Sequence, residues 1–227
     1  MLKDLLAVFS GTPVLTGAVS DFHAMLELAR AMVHAAHRGH WGPEGGGDFS
    51  LSEDDARMNE LQQYVRRRII LHLAGAAPSD AEFCLTLMGL VKDVERVGDY
   101  AKNLVRLPQM VGTASSVPRR DDPLEQAIFA FAAEIVEFAG DVPAAYADAD
   151  LERAFGLVAA ARARSRVSDA LVQRVAAGQY GAATAARMTL TIRFYRRINT
   201  HLASVLASVA SDTPQYRAPS QPRAVAG

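Results

Sequence analysis

Hydrophobic positions recur along this chain at the spacing of helix faces. The clearest run is Phe83, Leu87, Leu90, Val94, Val97, Ala101 and Leu104, where steps of four and three alternate. That is the seam by which one helix packs into a bundle. Leu124, Ile128, Phe131, Ile135 and Phe138 repeat the pattern, as do Met188, Ile192, Tyr195, Asn199, Leu202, Leu206 and Val209, where polar Asn199 interrupts the seam. Shorter apolar stripes run through Phe22, Met25, Leu26, Ala29, Met32 and Val33, and through Met58, Leu61, Val65, Ile69 and Leu73. A further stripe starts at Leu151, Phe155 and Val158 and changes phase to Val167, Leu171 and Val175. Prolines, which break helices, fall between these stripes, with Pro43, Pro78, Pro108 and Pro143 each marking a stop. Gly178 and Gly181 divide the last long stretch. No stretch shows the short alternation of a half-buried strand. The pattern predicts an all-α chain of six helices.

The loop at 113–123 lies at the midpoint and separates three helices from three, which points to an internal repeat of two three-helix bundles. The expected organisation is an N-terminal segment at 1–19, a first three-helix unit at 20–107, a linker at 108–122, a second unit at 123–212 and a disordered tail at 213–227. A second loop is expected at 39–47. The 227 residues are half hydrophobic, enough for a sizeable core without disulfides or a structural metal. The 24 basic and 25 acidic residues leave a net charge of -1, which provides no global field for nucleic acid or anionic lipid. The single cysteine, Cys84, rules out a disulfide framework within the chain and is expected to pack as a small hydrophobe. No apolar run approaches the roughly 20 residues of a spanning helix, and Asp4 makes the N-terminus a poor signal peptide. A cytoplasmic protein is expected.

Laying Asp93-Val94-Glu95-Arg96-Val97-Gly98-Asp99-Tyr100-Ala101-Lys102-Asn103-Leu104 over the stretch from Phe194 to Val205 aligns Arg96 with Arg197 and Val97 with Ile198. The first stretch resembles the signature of the PhoU family of phosphate-signalling proteins, Glu-Arg-Ile-Gly-Asp-His/Tyr-Ala-x-Asn, at Glu95, Arg96, Gly98, Asp99, Ala101 and Asn103. Upstream, Asp55, Asn59 and Leu61 match the family's Asp-x-x-x-Asn-x-Leu. The second half departs from both motifs. Arg196, Asn199, Thr200 and Ser204 stand at the positions of Glu95, Gly98, Asp99 and Asn103, while Arg197 and His201 persist. The resemblance implies paired three-helix repeats whose acidic signature residues hold metal ions at the surface. Here that means a divalent or ferric ion at Glu95 and Asp99, with Asp55 and Asn59 as further ligands. It also implies a regulator that binds a membrane phosphate transporter component or a sensor kinase, sits at the inner membrane through that partner, and is a candidate homodimer.

Read from the residues alone, Glu95 and Asp99 lie one helical turn apart, away from the Val94/Val97/Ala101 seam, and repel by a few tenths of a kcal/mol. A bound cation would relieve that repulsion, as would neutralisation by Lys92, Arg96 and Lys102 within one turn. Gly98, costly in mid-helix, suggests close approach of a neighbouring helix. Arg66, Arg67 and Arg68 read as a solvated face with one side chain folded over the core, or as an anion- or partner-binding patch. His34, His37 and His40, near Trp41, read as a polar helix end rather than a metal site. No P-loop, dinucleotide-binding, nucleophile-elbow or zincin motif occurs, so no enzyme is expected. A metal-dependent hydrolase on a helical bundle would need more ligands than the chain presents. A purely structural helical module is the third reading.

Overall fold

The computed structural model describes residues 13–42, 51–75, 81–112 and 121–210. Among them the chain forms six helices and no strand: α1 (Pro13–Trp41), α2 (Ser52–Gly75), α3 (Ala81–Val111), α4 (Pro123–Ala147), α5 (Leu151–Ala177) and α6 (Ala182–Ala210). The all-α, six-helix expectation holds. The segment at 1–12, the tail at 213–227 and most of the two expected loops lie outside the described residues.

Several boundaries differ from the sequence reading. Helix α1 begins at Pro13, inside the expected N-terminal segment, and continues through Gly39 to Trp41. Proline is tolerated in a helix's first turn, where its missing N–H has no partner to lose. Pro108 and Pro143 lie inside α3 and α4, each within the last turn or two, where little helix remains to be disrupted. The α4–α5 break falls at Ala149, a non-glycine residue at φ 47°, and no glycine or proline signals it. Asp150 then caps α5 by accepting from the Arg153 N–H at 3.0 Å. Asp122 caps α4, accepting from the Leu124 and Glu125 N–H groups at 2.7 and 3.1 Å.

Within each half all three helices pack on one another, and the halves meet through α3 against α6 and α1 against α4. Exchanging α1 with α4, α2 with α5 and α3 with α6 maps this set of contacts onto itself, which is the internal repeat expressed in packing. Helices α2 and α5 make their main contacts inside their own halves and form the outer layers. The seams read from the sequence are the core: Phe83, Leu87, Val94, Val97, Ala101 and Leu104 are buried on α3, and Met188, Ile192, Tyr195, Leu202 and Leu206 on α6. Cys84 is buried among them.

Polar chemistry is also buried where the end of α1 meets α4 and α6. Arg187 of α6 pairs with Glu125 of α4, the two side chains being only 1% and 2% exposed. The second guanidinium nitrogen donates at 3.2 Å. His40 Nε2 lies 3.1 Å from the Thr191 hydroxyl and His37 Nδ1 2.9 Å from the Tyr195 hydroxyl. Trp41 meets Phe129 edge-on. His40 is buried and His37 half-buried, so this polar end of α1 is covered and forms part of the joint between the halves.

Burial, reinforced by the charge of Arg187 and by His37, lowers the His40 pKa to about 3. Burial, then His34 and Arg38, lowers that of His37 to about 4. Both rings are neutral in the fold, whereas in the unfolded chain they bind protons near pH 6.5. Below that value the unfolded state binds more protons, so stability is lost as the pH is lowered. The urea midpoint should drop between pH 6.5 and 4, with a shallower fall in a His37→Gln/His40→Gln variant. Removing one partner of the buried pair, as in Arg187→Met, strands a buried charge and should cost about 3–5 kcal/mol. In Arg187→Met/Glu125→Leu most of that loss should return, as read by denaturant unfolding.

Candidate functional site

Helix α3 carries the signature and presents it along two edges. Toward α2, Lys102 reaches between two carboxylates. Its ammonium donates to Asp55 Oδ1 across the helix pair and lies 3.4 Å from Asp99 Oδ1 one turn back. Lys92 pairs with Glu95. The glutamate side chain is 16% exposed, more covered than its position off the seam suggested, and Asp99 is 46% exposed. Asn59 is exposed on α2.

Of the four positions expected to hold a metal, then, the structure joins Asp55 and Asp99 and directs Glu95 to a separate lysine. Among the described residues no three His, Cys, Asp or Glu side chains are grouped to hold a metal ion. The donor set as arranged does not fit a bound metal, because an ammonium, which offers donors and no lone pair, stands between the two aspartates. Neutralisation by flanking lysines, left open by the sequence, is the arrangement found.

Gly98 lies between these acidic positions for a packing reason. A Cβ there would stand 3.3 Å from both the Sδ and Cε of Met32 on α1 and 3.8 Å from Cε of Met58 on α2. This is the close approach expected of a mid-helix glycine. Of the arginine triplet, Arg68 folds across α1, donating to Asp21 Oδ2 at 2.8 Å over the space left by Gly17, while Arg67 stays exposed.

The other edge of α3 faces α6, and the sequence reading assigned it no role. Asp93 Oδ1 lies 2.9 Å from His201 Nδ1. The Tyr100 ring stacks on the His201 ring at 5.8 Å and 14°, and lies 6.1 Å from Phe194. Arg197 Nε donates to the Tyr100 hydroxyl at 3.0 Å. Under the alignment that pairs Arg96 with Arg197, Tyr100 and His201 are counterparts, as are Asp93 and Phe194. The Tyr100–His201 stack therefore maps onto itself when the halves are exchanged. The Asp93–His201 contact maps onto Phe194–Tyr100, an acid–imidazole pair on one side answered by an aromatic pair on the other. The persistence of Arg197 and His201 in the second half was the available signal for this joint.

In that half the positions have diverged to structural uses. Asn199, at the place of Gly98, is buried; it donates to the Ala161 carbonyl at 2.9 Å and accepts from Arg164 Nε at 2.9 Å. Arg196, at the place of Glu95, pairs with Asp169 of α5. Thr200, at the place of Asp99, donates to the Arg196 carbonyl of its own helix.

A six-helix body of two matched halves, joined through a signature-bearing third helix, is the class this geometry defines. Residues 49–107, which span α2 and most of α3, match the family model described as the PhoU domain. The fold is similar to that of PhoU from Pseudomonas aeruginosa, at TM-score 0.76 and 18% identity over 86% of this chain and 95% of that one. It is also similar to that of the phosphate transport system regulatory protein PhoU from Streptococcus pneumoniae, at TM-score 0.72 and 14% identity over 86% and 92% of the two chains. No curated protein matches by sequence. Residues 49–107 thus match the PhoU domain within a chain whose fold is similar to that of PhoU proteins.

Filling the space at Gly98 should separate α3 from Met32 and Met58. Gly98→Val is expected to lose about 1–3 kcal/mol in urea unfolding, the usual cost of overpacking a tight contact. An unchanged midpoint would show that the methionines yield freely.

Proposed function

We propose that this protein regulates phosphate transport and phosphate-responsive signalling by binding a membrane transporter component, a sensor kinase or both, from the cytoplasm and without catalysis of its own. The observation that carries this reading is the coincidence of the PhoU domain match on α2 and α3 with the PhoU fold over most of the chain. One of the structural neighbours is described as a phosphate transport system regulatory protein. None of the described helices is long and apolar enough to cross a membrane, so a role at the membrane calls for a protein partner.

Deleting the gene in the native host should change phosphate uptake or phosphate-responsive transcription. Pull-down from the host's membranes in low and high phosphate should recover a phosphate transporter component or its kinase. Unchanged uptake together with recovery of neither would contradict the proposal.

A further inference from the structure

We propose that Lys102 is the resident cation of the signature site. Its ammonium holds Asp55 and Asp99 together across α2 and α3, where the family resemblance leads one to expect a metal ion, and so keeps this PhoU domain's acidic motif assembled without metal. This inference is independent of the regulatory role proposed above.

Three observations carry it. Lys102 is only 17% exposed, so its stem is laid along the helix pair, and its Nζ is shared between an aspartate of α2 and one of α3. Glu95, the other carboxylate of the signature, is bound to a different lysine, Lys92. The second half makes the same kind of connection with a different residue. Arg196 of α6, at the position of Glu95, pairs with Asp169 of α5, fastening the outer helix to the third helix by a protein cation. In both halves, therefore, one link between second and third helix is a side-chain cation on an aspartate.

The physical reason is competition for the same oxygens. A divalent ion bound by oxygen ligands requires six or more of them at about 2.0–2.6 Å. Lys102 places a positive charge among the carboxylates such an ion would use, and it would have to be expelled against its own attraction to them. The lysine is tethered to the chain and pays no entropy of capture from solution, so the motif is neutralised as soon as the helices pack.

The test is a calorimetric titration of the full-length protein with MnCl2, comparing wild type, Lys102→Met and Lys102→Met/Asp55→Asn/Asp99→Asn, with circular dichroism to confirm folding. Lys102→Met should bind manganese at least about tenfold more tightly than wild type, and the triple variant should lose that gain. Lys102→Gln replaces the methionine variant if the latter does not fold. Two results would overturn the proposal: wild type binding manganese as tightly as the lysine variant through Asp55 and Asp99, or a folded lysine variant gaining no affinity.

Discussion

The packing of α3 against α6 is the contact on which the rest of the molecule depends. Each half alone is a three-helix hairpin stack with one outer helix and two faces left to cover. Joining the third helices, with α1 against α4 beside them, covers those faces and makes one core. At the centre of the joint, Tyr100 stacks on His201, Arg197 bonds the tyrosine hydroxyl and Asp93 meets the imidazole. His201 is buried and its polar partners are half-buried, so the pairs across the joint replace hydration that docking removes. The joint therefore specifies how the halves dock, which apolar seams alone would leave loosely determined.

The repeats have kept this joint and diverged around it. In the first half, Gly98 lets Met32 and Met58 close over α3, and Lys102 and Arg68 fasten α2 to its neighbours. In the second, Asn199 replaces the glycine and turns the same position into a hydrogen-bonded contact with α5. Both halves clamp the outer helix with a cation on an aspartate, and the second adds the Asn199 contact where the first has Gly98. The loss of Glu95 and Asp99 counterparts in the second half is thus a change of use: Arg196 and Thr200 at those positions have structural partners.

The helices were legible because burial writes itself into periodicity, and the alternating seams of α3, α4 and α6 depend on no distant residue. The ends were less legible where the breaking residue did not behave as a breaker: Pro108 and Pro143 stay inside helices, and the α4–α5 turn is made by Ala149. The buried Arg187–Glu125 pair could not be seen at all, since its partners are 62 residues apart and each looks like an ordinary surface charge. The same limit applied to His37 and His40, whose partners lie on α6. Glu95 and Asp99 were legible as a motif and Lys102 as a nearby charge. That the lysine also reaches Asp55 follows only from the antiparallel register of α2 and α3.

The central claim is that the segment matching the PhoU domain, residues 49–107, works within one fused body, not as a separable unit beside a degenerate copy. Native-state hydrogen exchange across all six helices tests this most directly. If the joint unites the halves, the slowest amides of α1 and α3 and those of α4 and α6 will exchange through one shared opening of equal free energy. If α4, α5 and α6 open together at markedly lower free energy while α1 to α3 stay protected, the two halves are independent and the account is wrong.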